Sequence, residues 1–164
     1  MFNFLRKNYF INIFIVIIIF SLDRITKFYV ILKSEMNLNT SLFTSKFLNI
    51  NLIWNEGIAF GLFSFDEKFY YNFMTVLIII ITIVILWFIT KTRNIEKMAF
   101  TIVFGGALGN IFDRLYYTSV PDFIDIHVGD FHWFIFNVAD IFITLGVICL
   151  IFKEFFFKNY EHNN

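Results

Sequence analysis

Four aspartates stand where long apolar runs begin or end: Asp23, Asp113, Asp122 and Asp140. A charged aspartate at the centre of a membrane helix costs about 2.5–3.5 kcal/mol on insertion scales, so acids at such depths usually have a function. Two carboxylates that lie close together share one proton. The ionised member can then activate a water while the protonated member polarises a carbonyl, which hydrolyses a peptide bond without a metal. These four residues alone leave open two functions, an aspartic protease and a proton path.

Of these acids, Asp122 and Asp140 are the predicted pair. Asp122 follows Pro121, which ends any preceding helix and lets the chain turn back towards Asp140. Asn137 lies three residues before Asp140, so the two are expected to share one face of a helix. Asp122 and Asp140 combine depth at the membrane edge with a neighbouring asparagine, and the sequence therefore predicts that they meet.

The other polar residues at these thresholds have simpler interpretations. Asp23 and Lys27 are spaced i, i+4 and are expected to form a buried ion pair. Asn110, Asp113 and Arg114 share a second helix face, where Asp113 and Arg114 favour a structural anchor. The preceding Gly105, Gly106 and Gly109 are expected to permit close helix packing.

The loop after these residues contains further ionisable groups. Asp125 and Asp130 are expected to be solvated there. His127 and His132 could indicate a metal site with a nearby aspartate, but their i, i+5 spacing provides no helical chelate. The sequence therefore predicts no metal and no cofactor.

The composition indicates which solvent surrounds the chain. Of its 164 residues, 59% are hydrophobic and 16% are charged, and the mean hydropathy is +0.72. A soluble domain has about 25% charged residues, so lipid is the expected solvent. The net charge of zero gives no indication of nucleic-acid binding. The lone Cys149 excludes a disulfide framework and a cysteine metal cluster.

The fold class predicted from these patterns is a mainly α membrane protein with four transmembrane helices, forming a single domain over residues 1–164. A membrane helix needs about 20 mostly apolar residues. Lysine and arginine crowd the short connection between the second and third spans, which favours cytoplasmic termini. The predicted spans are 9–32, 69–90, 98–116 and 137–157, and the predicted extracytoplasmic loops are 33–68 and 117–136.

The first outer loop has the pattern of a strand. Residues 47–55, "FLNINLIWN", alternate apolar and polar side chains, and Gly57 in the following "NEGIAFG" permits a sharp return. The sequence therefore predicts a small extracytoplasmic β-sheet above the helix ends.

Five segments together resemble the conserved boxes of a known family, lipoprotein signal peptidase or signal peptidase II. The segments are "DRITK", "NEGIAFG", "GGALGNIFDR", "VPDFID" and "FNVAD", and their order and spacing match that family from about Asp23 to the end of the fourth span. The resemblance implies a membrane-embedded aspartic endopeptidase with four transmembrane helices and a small sheet. Such an enzyme removes the signal peptide from diacylglyceryl-modified bacterial prolipoproteins, cleaving before the lipidated cysteine, and is the target of globomycin.

The resemblance also implies a role for individual residues, in a monomeric enzyme of the bacterial inner membrane whose partners are lipids and lipidated precursors. Asp122 and Asp140 correspond to the catalytic pair. One position departs from the family, which usually has a valine where this chain has Pro121. The residues that correspond to supporting or substrate-binding positions are Asn55, Gly57, Asn110, Asp113, Arg114, Asn137, Asp23 and Lys27.

Two alternatives stand beside this interpretation. An ion-coupled membrane protein without hydrolytic activity would need acids along a path through the bilayer, and the second and fourth predicted spans have none in their middles. An intramembrane protease of the Gly-x-Gly-Asp type is disfavoured, because only "VGD" occurs and it lies in an outer loop.

Overall fold

The described part of the chain forms four long helices and one small sheet. A computed structural model describes residues 2–36, 41–56 and 67–161, so Gly57 lies outside the described residues. In chain order the elements are α1 (Phe2–Met36), β1 (Phe43–Thr44), β2 (Leu48–Asn55), α2 (Glu67–Lys91), α3 (Asn94–Tyr117), β3 (Val120–Val128), β4 (Phe131–Phe136) and α4 (Val138–Glu161).

The helices form where the apolar runs predict them. The first three predicted spans lie inside α1, α2 and α3, whereas the predicted start of the fourth, Asn137, is the residue before α4. Within the described residues, 68–91 and 94–117 are long and apolar enough to cross a membrane by length and composition. Most side chains of α2 are exposed and apolar, among them Ile80, Ile83 and Trp87. This is the surface expected of a helix that faces lipid rather than water.

Helix α3 is the centre of the bundle and contacts the other three helices. Its glycines lie where neighbouring helices approach closely. A methyl group on Gly106 would lie 2.6 Å from the carbonyl oxygen of Ala139, and one on Gly109 would lie 2.6 Å from Asp23 Oδ2. A methyl group on Gly105 would lie 3.1 Å from the Ile19 side chain. The predicted role of these glycines in close helix packing is confirmed.

The sheet is antiparallel with strand order β1-β2-β3-β4. The strand predicted over 47–55 is confirmed as β2, but β3 and β4 form in the segment 117–136, which was predicted as a loop. Pro121 pairs with Trp54 at the start of β3, before the point, Ile124, where β4 begins to pair. Near Pro121 the strand therefore has one neighbour, a position that tolerates a missing backbone donor.

The prediction that Asp125 is solvated was wrong. Asp125 lies within β3 and its exposed fraction is 3%, because β2 pairs with it on one side and β4 on the other. Asp130 is exposed, as predicted, in the β3–β4 turn beside Gly129, whose φ is +59°.

Candidate active site

Asn137 and Asp140 together cap the N-terminus of α4. The Asn137 carbonyl accepts the first helical hydrogen bond, from the Ile141 N–H. The Asn137 Oδ1 accepts a bond from the Asp140 N–H at 3.2 Å, and the Asp140 Oδ2 accepts one from the Asn137 N–H at 3.1 Å. This reciprocal arrangement is a capping box. The two residues therefore contact each other through the hydrogen bonds of a helix cap. The prediction was that they share a face of the helix, but Asn137 precedes its first residue.

Asp122 lies at the start of β3, where the sheet meets the N-terminal end of α4. It is 4% exposed, and its two oxygens accept hydrogen bonds from Asn55 Nδ2 at 2.8 Å and from Asn137 Nδ2 at 2.6 Å. Burial raises the pKa of Asp122 from its ordinary value of 3.8 to about 6; the charge of Asp140 also raises it, while the two amide bonds oppose the rise.

Asn137 joins the two acids that the sequence predicted to meet. Its side chain is fully buried and contacts Asp122 through the amide nitrogen and Asp140 through the amide oxygen. Asp140, which is partly exposed, also accepts a bond from Asn110 Nδ2 at 2.7 Å. Each carboxylate thus receives two hydrogen bonds from amide donors.

A buried ionic cluster lies directly behind Asn110. The Lys27 ammonium donates to Asn110 Oδ1 at 3.0 Å, to Asp113 Oδ2 at 2.6 Å and to Asp23 Oδ2 at 3.1 Å. Asp23 and Asp113 are 0% exposed and Lys27 is 1% exposed. The predicted Asp23–Lys27 pair is confirmed, and it extends to Asp113 and, through Asn110, to Asp140.

Arg24 completes this cluster, and the sequence reasoning assigned it no role. Its guanidinium bonds to Asp23 at 2.6 Å and to Asp113, and also donates to the Gly109 carbonyl at 3.1 Å. It lies 4.7 Å from the centre of the Phe112 ring. The positive charges of Lys27 and Arg24 therefore balance the negative charges of Asp23 and Asp113. The i, i+4 spacing on a helix pairs Asp23 with Lys27 and gives no indication of Arg24. The long side chain of Arg24 nevertheless reaches the adjacent Asp23.

Asp23 also binds the helix that carries Asp140. Its Oδ1 accepts a hydrogen bond from the Ala139 N–H at 3.1 Å, one of the backbone donors left free at the start of α4. The ionic cluster of α1 and α3 thereby fixes the position of the α4 N-terminus.

Arg114, a predicted supporting residue, lies apart from these contacts. Its guanidinium lies 5.5 Å from the centre of the Tyr71 ring, and the Tyr71 hydroxyl donates to the Arg114 carbonyl at 2.9 Å. The Nε and Nη1 atoms of Arg114 are buried and have no hydrogen-bond partner among the described residues.

An apolar cavity of about 500 Å³ opens beside Asp140. Its walls come from the sheet and from the side of α4, and include Trp133, Phe134, Ile141 and Leu145. Trp133 and Phe134 are largely exposed, so this wall presents aromatic surface outwards. The site can therefore place an apolar group next to a carboxylate that can accept a proton.

Comparison with known proteins gives one consistent result. A model of the family described as signal peptidase (SPase) II matches residues 15–156. The lipoprotein signal peptidase of Pelagibacter ubique (strain HTCC1062) is 50% identical over 157 residues, covering 96% of this chain and 95% of that protein. The lipoprotein signal peptidase of Anaplasma marginale (strain Florida) is 36% identical over 148 residues, covering 90% and 86%. A solved bacterial membrane enzyme, determined in meso at 2.3 Å resolution, superposes with a TM-score of 0.71 at 32% identity, covering 88% of this chain and 87% of the other.

Proposed function

We propose that this chain removes signal peptides from diacylglyceryl-modified bacterial prolipoproteins by aspartic catalysis with Asp122 and Asp140. The chain belongs to the signal peptidase II family. Membership makes it a membrane protease that acts on prolipoproteins. The aspartic mechanism rests on one observation: the buried Asn137 links Asp122 to Asp140 by hydrogen bonds.

The environments of the two acids support different roles. Asp140 lies in the first turn of α4, is partly exposed, and accepts hydrogen bonds from Asn110 Nδ2 and from the Asn137 N–H. Asp122 is buried, and its pKa is raised to about 6. We therefore assign Asp140 as the base that faces water and Asp122 as the acid that carries a proton.

Hydrolysis then proceeds in two steps that conserve atoms and protons. Asp140 takes a proton from water as the water oxygen bonds to the scissile carbonyl carbon, and Asp122 gives its proton to the carbonyl oxygen. In the second step the C–N bond breaks, Asp140 passes its proton to the departing nitrogen, and Asp122 recovers a proton from a hydroxyl of the intermediate. The products are a carboxylic acid and a free amine, and both acids return to their starting states.

The surroundings of the pair fit a lipidated substrate. The cavity beside Asp140 is lined by aromatic and aliphatic side chains, which suits acyl chains that remain in the membrane while the peptide reaches the acids. We assign Asn110 and Asn137 to orienting the two acids, and the Asp23–Lys27–Asp113 cluster to holding Asn110.

In the membrane, α1, α2, α3 and α4 are proposed to cross as four spans with both termini in the cytoplasm. Asp23, Asp113, Asp122 and Asp140 gather at one level, where the sheet meets the helix ends. In a bacterial inner membrane this level is the extracytoplasmic boundary, at which the bond before a lipidated cysteine lies.

The test uses the whole chain, purified in detergent and incubated with a diacylglyceryl-modified precursor. Asp122→Asn and Asp140→Asn should each leave the precursor uncleaved, and globomycin should block the unaltered protein. Asp130→Asn, the same change at an exposed acid of the same segment, should cleave normally. Normal cleavage by either Asp122→Asn or Asp140→Asn would refute the aspartic mechanism, whereas loss of cleavage by variants that still unfold cooperatively would support it.

A further inference from the structure

We propose that Asp125, His127 and His132 form a binding site for a divalent transition metal ion, with Zn²⁺ as the expected occupant, on the β3–β4 hairpin. One ligand atom from each of the three side chains lies within 4.8 Å of the other two. This site is separate from the acid pair and does not depend on the proposed function.

Strand pairing brings together residues whose spacing in the sequence would separate them on a helix. His127 on β3 is the direct partner of His132 on β4, so the two rings lie on the same face of the sheet. Asp125 is two residues before His127 and therefore shares that face. A register shift between Asp125 and His127 brings the carboxylate close to the second histidine: both oxygens of Asp125 lie 2.9 Å from His132 Nδ1.

A second observation concerns the buried polar atoms beside these three side chains. His127 Nδ1 and Asn49 Oδ1 are buried and have no hydrogen-bond partner among the described residues. Asn49 is the β2 partner of Asp125, and its amide nitrogen donates to Asp125 Oδ2 at 3.3 Å. Buried polar atoms without a partner are rare in folded proteins, and a bound ion is one of the groups that accounts for them.

The donor set is the one that Zn²⁺ prefers. Imidazole nitrogen and carboxylate oxygen bind Zn²⁺ at 2.0–2.2 Å, so neighbouring ligand atoms in a tetrahedral site are about 3.4 Å apart. The ion would lie between His132 Nδ1 and Asp125, in place of the hydrogen bond that joins them. The two imidazole rings now stack at 5.0 Å with an angle of 20°, so one ring must turn to aim its nitrogen at the ion. The His132 side chain is 51% exposed, which leaves room for this rotation and for a water as fourth ligand.

The ion would join β3 to β4 beside the acid pair. Asp122 is three residues before Asp125 on β3, and Asn137 follows directly after β4. The hydrogen bond between Asn137 and Asp122 therefore closes the same hairpin that the metal would clamp. Zn²⁺ is expected to raise the thermal unfolding temperature of the chain.

The experiment titrates Zn²⁺ into the whole chain in detergent, prepared through a tag without histidine and first dialysed against a chelator. Calorimetry should show one ion per chain, and Co²⁺ in its place should give a visible absorption spectrum of a His/carboxylate site. His132→Gln and His127→Gln should each weaken binding by at least about tenfold, and Asp130→Asn, in the same hairpin, should leave it unchanged. Absence of stoichiometric Zn²⁺ binding would overturn the proposal, as would equal binding by the unaltered chain and both histidine variants.

Discussion

A methyl group at Gly106 tests how closely α3 and α4 must approach for the acid pair to function. It would lie 2.6 Å from the Ala139 carbonyl oxygen and 2.8 Å from the Ile143 side chain. Non-bonded atoms of this kind are normally separated by about 3.5 Å, so Gly106→Ala must push α4 away by about 1 Å. The carbonyl is backbone in the first turn of a helix and cannot turn aside as a side chain would.

The expected effect has two parts. Overpacking of this kind destabilises a protein by about 1–3 kcal/mol. Ala139 directly precedes Asp140, so a shift of α4 also moves Asp140 relative to Asp122 on the sheet. A misplacement of about 1 Å can lower catalysis by about 100-fold. We therefore expect kcat/KM for precursor cleavage to fall by about 100-fold, with a measurable loss of unfolding free energy.

Gly105→Ala is the matched control, one residue away on the same helix. Its methyl group would lie 3.1–3.3 Å from side-chain atoms of Ile19, so α1 must move by only a few tenths of an ångström, and it gains about 1 kcal/mol of helix propensity. The assay compares both variants for cleavage of a lipidated precursor and for thermal unfolding followed by tryptophan fluorescence. If Gly106→Ala is as active and as stable as Gly105→Ala, the inferred closeness of α3 and α4 is wrong.

Three further predictions follow from the buried polar groups. The folded-state pKa of Asp122, about 6, lies above its ordinary value of 3.8. The stability contributed by its protonated form is therefore present below pH 3.8 and is lost as the pH rises through about 6. Thermal unfolding temperatures measured between pH 4 and 7 should fall accordingly, and Asp122→Asn should remove this pH dependence. Asn137→Ala removes a helix cap and a donor to Asp122, so it should lower the unfolding free energy by about 1–3 kcal/mol and also slow cleavage; equal stability of the variant and the unaltered chain would contradict this. Lys27→Met leaves two buried acids with Arg24 alone and should cost about 3–5 kcal/mol in chemical denaturation, whereas the exposed Lys33→Met should change stability by less than about 0.5 kcal/mol.

The sequence predicted the parts of this fold that depend on local patterns. A run such as 69–90 has no charge and can only be a helix in lipid, because each backbone group must bond within the segment. The i, i+4 spacing of Asp23 and Lys27 likewise predicts an ion pair without knowledge of the rest of the chain.

The parts that were missed depend on residues far apart in the chain. β3 pairs with β2 across about 70 residues, and its segment "VPDFIDIHV" lacks the clean alternation of β2, because it lies inside the sheet with Asp122 and Asp125 both buried. The burial of Asp125, its approach to His132 and the reach of Arg24 to Asp113 all follow from such long-range packing, which no window of sequence contains.

The orientation of the two buried amides follows from groups that can only donate. The Lys27 ammonium has no acceptor, so the Asn110 oxygen must face it and the Asn110 amide nitrogen must face Asp140. The Asp140 backbone N–H can only donate, so it bonds to Asn137 Oδ1. The Asn137 Nδ2 therefore faces Asp122. Amide donors stabilise the ionised form of an acid, yet the pKa of Asp122 is raised, so burial and the charge of Asp140 outweigh both of its amide bonds. The chain of hydrogen bonds from Lys27 to Asp122 thus fixes where the amide donors point, while burial raises the pKa of Asp122.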